Sequence, residues 1–279
     1  MTAVAIWLEQ ADYMVWGCAD TRISRRGDQS GFVRLTDRGA KLFALPIACS
    51  AVSTHENVQP EPHFQSTFGF AFAGATLPAT MTYATASTAL RNLNSVGKNV
   101  PTVGQASELV RRIGRQFVMD AAGDSQSDPR LSLFECAVFG YSQPHDRYQA
   151  FHIHPEFGGE NLEMAIVEFD LYKENAVLVF GSGRERVLKK IDDLSVTRAN
   201  GVQALRLPMR ALEAVVREDR GDVGGELSIA GLYMADFRIY WSMRHKGSSA
   251  TGQLFNGFDF SGDLGVIDEV FWVGGLGLA

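Results

Sequence analysis

The order of its apolar segments constrains this chain most. Strand-like runs come first, then two helical segments, then strands, then two more helical segments, then strands again. No internal repeat, low-complexity tract or dividing linker interrupts the series. Each strand set has a face to bury and each helix a stripe. Two sheets back to back, with a helix pair on each outer face, bury all of them in one layered domain. The chain has 279 residues, long enough to enclose such a core.

The opening is a hairpin pattern. Apolar runs at 3–8 and 13–18 flank the polar turn Glu9-Gln10-Ala11-Asp12, which reads as two antiparallel strands. Thr2 therefore heads the first strand. With Met1 removed it would carry a nucleophilic hydroxyl and a base, its own α-amine, on one residue. That is the N-terminal threonine arrangement.

Residues 22–37 are polar and Arg-rich, with Gly27 and Gly31, and read as a loop or short strands. A turn then leads into a strand up to residue 45 that Pro46 ends, because proline cannot donate to a ladder. Pro46, Pro60 and Pro62 mark 46–67 as a surface insertion. Residues 68–74 form a short buried strand bounded by glycine. A small-residue helix is expected over 75–93. A second helix covers 102–120, with Leu109, Ile113, Phe117 and Val118 roughly on one face. Strands follow at 131–139, 148–154, 164–170 and 176–180. Gly181-Ser182-Gly183 opens a charged helix at 184–194. Another helix spans 207–216, with Pro208 in its first turn. Strand alternation returns over 226–243, and a last strand is expected at 269–273.

Composition removes several function classes. A net charge of -6 argues against nucleic acid as a partner. Cys18, Cys49 and Cys136 are odd in number and form no C-x-x-C pair, so they read as buried thiols in a reducing, cytoplasmic compartment. Glu9 and Asp12 interrupt the first apolar run and no basic leader precedes it, so no secretory signal is expected. No stretch approaches ~18 consecutive apolar residues, so no membrane span or membrane partner is expected. His55, Glu56 and His63, and separately His152, His154 and Glu156, are metal-ligand residue types. Both sets read as plain loop or strand side chains, and no metal or organic cofactor is expected. Gly181-Ser182-Gly183 could cradle a phosphate at a helix start, but it lacks the spacing and the lysine of a P-loop.

Short motifs fall on matching elements in a fixed order. Ala19-Asp20-Thr21-Arg22 closes the second strand and Gly39-Ala40-Lys41-Leu42-Phe43 opens a later one. Ala73-Gly74-Ala75 precedes the first helix and Gly181-Ser182-Gly183 the third. In this set, with Thr2 at a strand head, the chain resembles proteasome β-type subunits and their bacterial ring-peptidase relatives, which are N-terminal-nucleophile (Ntn) hydrolases. The likeness covers residues 2–45, 68–96 and about 176–235. The chain departs from the pattern in a slightly longer first hairpin, in the 46–67 segment, in its Gly-rich C-terminal region and in the late Asp-x-x-Ser-Gly motif, which is not intact. These departures point to a divergent bacterial member, Anbu-like or related.

The resemblance implies an α+β, four-layer αββα fold, with 1–279 as one Ntn-hydrolase domain carrying an insertion at about 46–67. It implies Thr2 as nucleophile, Lys41 as the charge that lowers the pKa of the amine, and Asp20 as the partner that orients Lys41. Gly74 would supply the oxyanion amide. Ser182 would complete a polar network with an aspartate, for which Asp219 or Asp222 is available. A free α-amine titrates at roughly 7.7–8.0, near the pH a general base works at, and a neighbouring ammonium lowers it further. The implied activity is cleavage of peptide or small amide bonds by a homo-oligomeric ring or ring-like array, with no ATPase partner specified. The alternatives are a non-catalytic assembly subunit that keeps Met1, or a small-molecule amidase of the same fold. By the same resemblance Phe72 floors the first substrate pocket, which implies a preference for small side chains.

Overall fold

The computed structural model describes residues 2–26, 31–52, 61–124, 132–158, 161–198, 206–219, 221–246, 249–259 and 263. Among them the first half runs β1 (Val4–Glu9), β2 (Met14–Asp20), β3 (Ile23–Arg26), β4 (Phe32–Thr36), β5 (Leu42–Ala51), β6 (Pro62–Gly74), α1 (Thr76–Leu90), β7 (Leu93–Ser95) and α2 (Val103–Asp124). The second half runs β8 (Phe134–Ser142), β9 (Arg147–Gly158), β10 (Asn161–Phe169), β11 (Leu178–Phe180), α3 (Arg184–Arg198), α4 (Leu207–Arg217), β12 (Leu227–Tyr233), β13 (Asp236–Tyr240), β14 (Ser242–Lys246), β15 (Ser249–Phe255) and β16 (Phe258–Asp259). It is a mixed α/β structure with few helices and many strands. One sheet has five strands in the order β11-β1-β2-β12-β13, and a second has six, β10-β9-β8-β6-β5-β7.

Strand alternation decides which side chains meet which neighbour. In β1, Val4 and Ile6 face the six-stranded sheet and share a buried cluster with Leu42, Ala71, Ala137 and Phe139. Ala5 and Trp7 face the other way, onto Val187 of α3 and Leu212 and Val215 of α4. In β6, Ala71 and Ala73 join the cluster between the sheets. Phe70 and Phe72 instead pack against Ala79 and Ala86 of α1 and Val110 of α2. A slip of one residue in either strand would exchange these faces, so burial on both sides pins the register. That register sets Thr2 at the head of β1 against the end of β2, with Val4 opposite Ala19.

Pro46 does not end its strand. β5 continues to Ala51, with Pro46 opposite Thr67 of β6. β7 joins the other side of β5 only from Cys49 onward, so at Pro46 that side is an edge, where proline is tolerated. β6 correspondingly begins at Pro62 rather than near Phe68. Residues 46–51 and 62–67 are thus the arms of a long hairpin. Pro60, His55 and Glu56 lie outside the described residues, as does the strand expected at 269–273. The short strands β7, β15 and β16 were not anticipated from the sequence. Among the described residues no helix is long and apolar enough to cross a membrane.

Candidate active site

Thr2 is 2% exposed although it stands ahead of the first strand. Two turns hold it. At the end of β2, Ala3 N donates to Asp20 Oδ1 at 2.9 Å and Asp20 N donates back to Ala3 O at 3.2 Å. After β11, Gly183 N donates to Thr2 O at 3.1 Å and Thr2 N donates to Ser182 Oγ at 3.2 Å. The second turn closes this tightly because residue 181 is glycine. Its φ is +93°, and a Cβ there would lie 2.2 Å from Thr2 O and 3.2 Å from Ala73 Cβ.

The Asp20 carboxylate joins the pieces. Its Oδ1 accepts from Ala3 N and from Lys41 Nζ, each at 2.9 Å. Its Oδ2 accepts from Arg22 N at 3.2 Å and Gly224 N at 3.3 Å. Lys41 lies just ahead of β5, is 1% exposed, and donates a second bond to Arg22 O at 2.6 Å. Burial pushes the Lys41 ammonium below its ordinary pKa, while the charge and hydrogen bond of Asp20 pull the other way. A buried pair of this kind persists because its charges are hydrogen-bonded: Asp20 accepts from four donors and Lys41 donates to two acceptors.

The two late aspartates separate. Ser182 Oγ donates to Asp222 Oδ2 at 2.7 Å, and Asp222 Oδ1 accepts from Arg186 Nη2 at 2.6 Å. Asp219 pairs instead with Arg22 Nη1 at 2.6 Å. The reason is the path of the chain. Asp219 is still attached to the end of α4 through its N–H to Val216 O at 3.1 Å. Only past Gly221, at φ +58°, does the turn return to α3 and Ser182. Arg22 also donates through Nε to Asp37 Oδ1 at 2.7 Å. That bond is the chief reason the Arg22 guanidinium is held above its ordinary pKa. For Asp37, burial alone would raise the carboxyl pKa, but Arg22 and Arg34 outweigh it and hold the group below the usual range. A cavity of about 360 Å³ borders Arg22, Asp37, Arg38 and Asp219.

Gly74 closes β6 in an exposed position with φ +103°, where a Cβ would meet Leu133 O at 2.7 Å. Its neighbour Ala73 lies against the turn after β11: a Cβ at Gly181 would come within 3.2 Å of Ala73 Cβ. Phe72 is buried and stacks on Phe43, with centroids 6.1 Å apart. The structure therefore gathers Thr2, Asp20, Lys41, Ser182 and Asp222 into one hydrogen-bonded centre and sends Asp219 to Arg22; Gly74 follows Ala73, the residue set against Gly181.

Glu135 is a neighbour of this centre that the sequence reading missed. Its Oε1 accepts from Gly181 N at 2.9 Å and its Oε2 from His152 Nε2 at 3.0 Å. The available signal was a carboxylate at an alternate position of β8 whose companions, Ala137 and Phe139, face the apolar cluster. His152 and His154 share a strand face with rings 4.8 Å apart, and His154 Nε2 lies 3.1 Å from Glu156 Oε1. His63 Nε2 lies 3.4 Å from Asn99 O. Among the described residues no group of three His, Cys, Asp or Glu side chains could hold a metal ion. Cys18, Cys49 and Cys136 are buried and unpaired. Burial drives the thiol pKa of Cys18 and Cys136 well upward.

No protein-family model matches this chain, and no curated protein matches it. Solved structures do. An Anbu (Gly-1) mutant from Hyphomicrobium sp. strain MC1 superposes with a TM-score of 0.53 at 14% identity, over 86% of this chain and 86% of the other. Anbu, the ancestral beta-subunit, from Yersinia bercovieri gives 0.51 at 14% identity, over 86% and 82%. A helical assembly of the Anbu complex from Pseudomonas aeruginosa gives 0.50 at 16% identity, over 85% and 82%. At these identities the likeness is one of fold alone: this chain shares the fold of the Anbu structures.

Proposed function

We propose that this chain is an N-terminal threonine hydrolase that cleaves peptide or small amide bonds once Met1 is removed. On this reading residues 1–279 form a single proteasome-like Ntn domain with a four-layer αββα plan, acting in the cytoplasm. The observation that carries the proposal is the pair of bonds at the head of β1: Thr2 N to Ser182 Oγ and Ala3 N to the same Asp20 oxygen that holds Lys41.

The chemistry follows from those contacts. The Ser182 proton is committed to Asp222, so Ser182 Oγ offers a lone pair that orients the α-amine of a processed Thr2. The amine lone pair takes the Thr2 hydroxyl proton. Lys41, kept charged by Asp20, lowers the amine pKa and stabilises the alkoxide. Thr2 Oγ1 then bonds to the substrate carbonyl carbon, and the Gly74 N–H receives the developing oxyanion, an interaction worth ~3–4 kcal/mol. The C–N bond breaks as the ammonium returns its proton to the leaving nitrogen. Water, activated by the same amine, hydrolyses the ester and frees Thr2.

Self-association belongs to the same reading. The Pseudomonas aeruginosa structure is described as a helical assembly, and a homo-oligomeric ring or ring-like array is the expected state of this chain. Intact-mass measurement is expected to find Met1 absent and to find one adduct after treatment with a threonine-directed epoxyketone, which needs both the hydroxyl and the free amine. Thr2→Ala is expected to abolish that adduct. Retained Met1 with no adduct would reject the hydrolase and leave the non-catalytic assembly subunit.

A further inference from the structure

The turn after β11 is held from three directions, and one of them plays no part in the proton transfers described above. Gly181 N donates to Glu135 Oε1 at 2.9 Å, a bond that reaches from the five-stranded sheet to the six-stranded one. Glu135 stands opposite Ala73 in the β6–β8 register. Its other oxygen accepts from His152 Nε2 at 3.0 Å. The His152 ring lies 5.1 Å from that of Phe180, the last residue of β11. Both carboxylate oxygens are therefore engaged by fixed donors. A carboxylate turned toward an apolar cluster is costly unless it is bonded in this way. What it bonds is the residue with least freedom in the site, since the Cα–H of Gly181 faces Thr2 O at a distance no side chain could share.

We propose that Glu135 is a positioning residue for the Thr2 centre. It pins the Gly181 amide, so Ser182 Oγ and the Gly183 amide keep their places on Thr2, and His152 pins the carboxylate in turn. Glu135 acts through the turn rather than on substrate atoms. The inference rests on the threonine-hydrolase reading of the same site.

The test uses the full chain after Met1 removal, with Glu135→Ala and Glu135→Gln. Hydrogen exchange of the backbone is followed by mass spectrometry over the peptide containing Gly181, beside kcat and KM on a fluorogenic peptide amide. Glu135→Ala is expected to speed exchange in this turn and to lower kcat, each roughly tenfold, the scale of one lost hydrogen bond, with KM unchanged. Glu135→Gln keeps the oxygen acceptor and is expected to restore both. Unchanged exchange in Glu135→Ala would overturn the inference. So would a Glu135→Gln protein as impaired as Glu135→Ala, because the effect would then belong to charge. If Glu135→Ala does not fold, His152→Leu carries the test: loosened exchange and a smaller fall in kcat support the inference, and wild-type values overturn it. A processed wild-type chain that forms no Thr2 adduct refutes the hydrolase reading instead. The exchange measurement needs no turnover and still decides whether Glu135 holds the turn.

Discussion

The two ends of the β1–β2 hairpin are built from the same strands and stabilised in opposite ways. At the Thr2 end, Thr2, Asp20, Thr21, Arg22 and Lys41 are all between 0% and 5% exposed. At the turn end, Tyr13 is 50% exposed and rests edge-on against Tyr148, with centroids 5.6 Å apart. There Asp12 accepts from Trp16 Nε1 at 3.1 Å, and Arg206 lies 4.2 Å over the Trp16 ring. The turn end is held by aromatic area and half-wet polar contacts, so each part can be lost cheaply. The Thr2 end has desolvated charges whose cost is offset only while the whole network is intact. A preorganised polar network of this kind is what the proposed threonine chemistry requires.

Removing the Asp20 carboxylate is the strongest way to break this contrast. It accepts from three backbone N–H groups and Lys41, so Asp20→Ala is expected to cost about 3–5 kcal/mol of stability along with all Thr2 reactivity. Chemical denaturation and epoxyketone labelling read the two effects. Lys41→Ala should be milder for the fold, because Asp20 keeps its three backbone donors. It is still expected to abolish turnover, and a folded Lys41→Ala protein with wild-type activity would remove Lys41 from the mechanism.

Asp37→Asn sharpens the comparison at the edge of the network. Arg22 keeps Asp219 and Asp37 is partly exposed, so a loss of about 1–2 kcal/mol is expected. The pH dependence has a definite sign. The folded Asp37 pKa lies below the unfolded value, so its contribution is complete above an unfolded pKa of about 3.9 and disappears as pH falls through the folded one. Asp37→Asn should therefore flatten the acid limb of the stability–pH curve, which thermal melts across that range will show. The smallest effect belongs to the turn end. Tyr13→Ala is expected to cost about 0.5–1.5 kcal/mol and to leave the rate of Thr2 labelling unchanged. A changed rate would mean that the two ends are coupled.

Much of the site was legible because its parts sit at element ends, where sequence patterns change. Asp20 ends an apolar run, Lys41 precedes one, and Gly181-Ser182-Gly183 lies between a strand and a charged helix. Asp219 and Asp222 could not be told apart, since they share one polar turn with no intact motif around it. Pro46 was misread because the tolerance of a strand for proline depends on which side is paired, and that is a property of sheet order. Phe72 was legible as a bulky strand residue, but alternation alone did not say that it stacks on Phe43 under α1.

The sequence by itself determined what is local: the strand and helix periods, the glycine at the closing turn, and the placement of a threonine before the first strand. Those follow from backbone sterics and from patterns a few residues long. Tertiary structure alone decided which carboxylate meets Ser182, where Pro46 falls in the sheet, and that Glu135 reaches the Gly181 amide across 46 positions of chain. A hydrogen bond needs its donor and acceptor within about 3 Å. No property of either residue, read along the chain, tells which distant partner the packing of two sheets will bring that close.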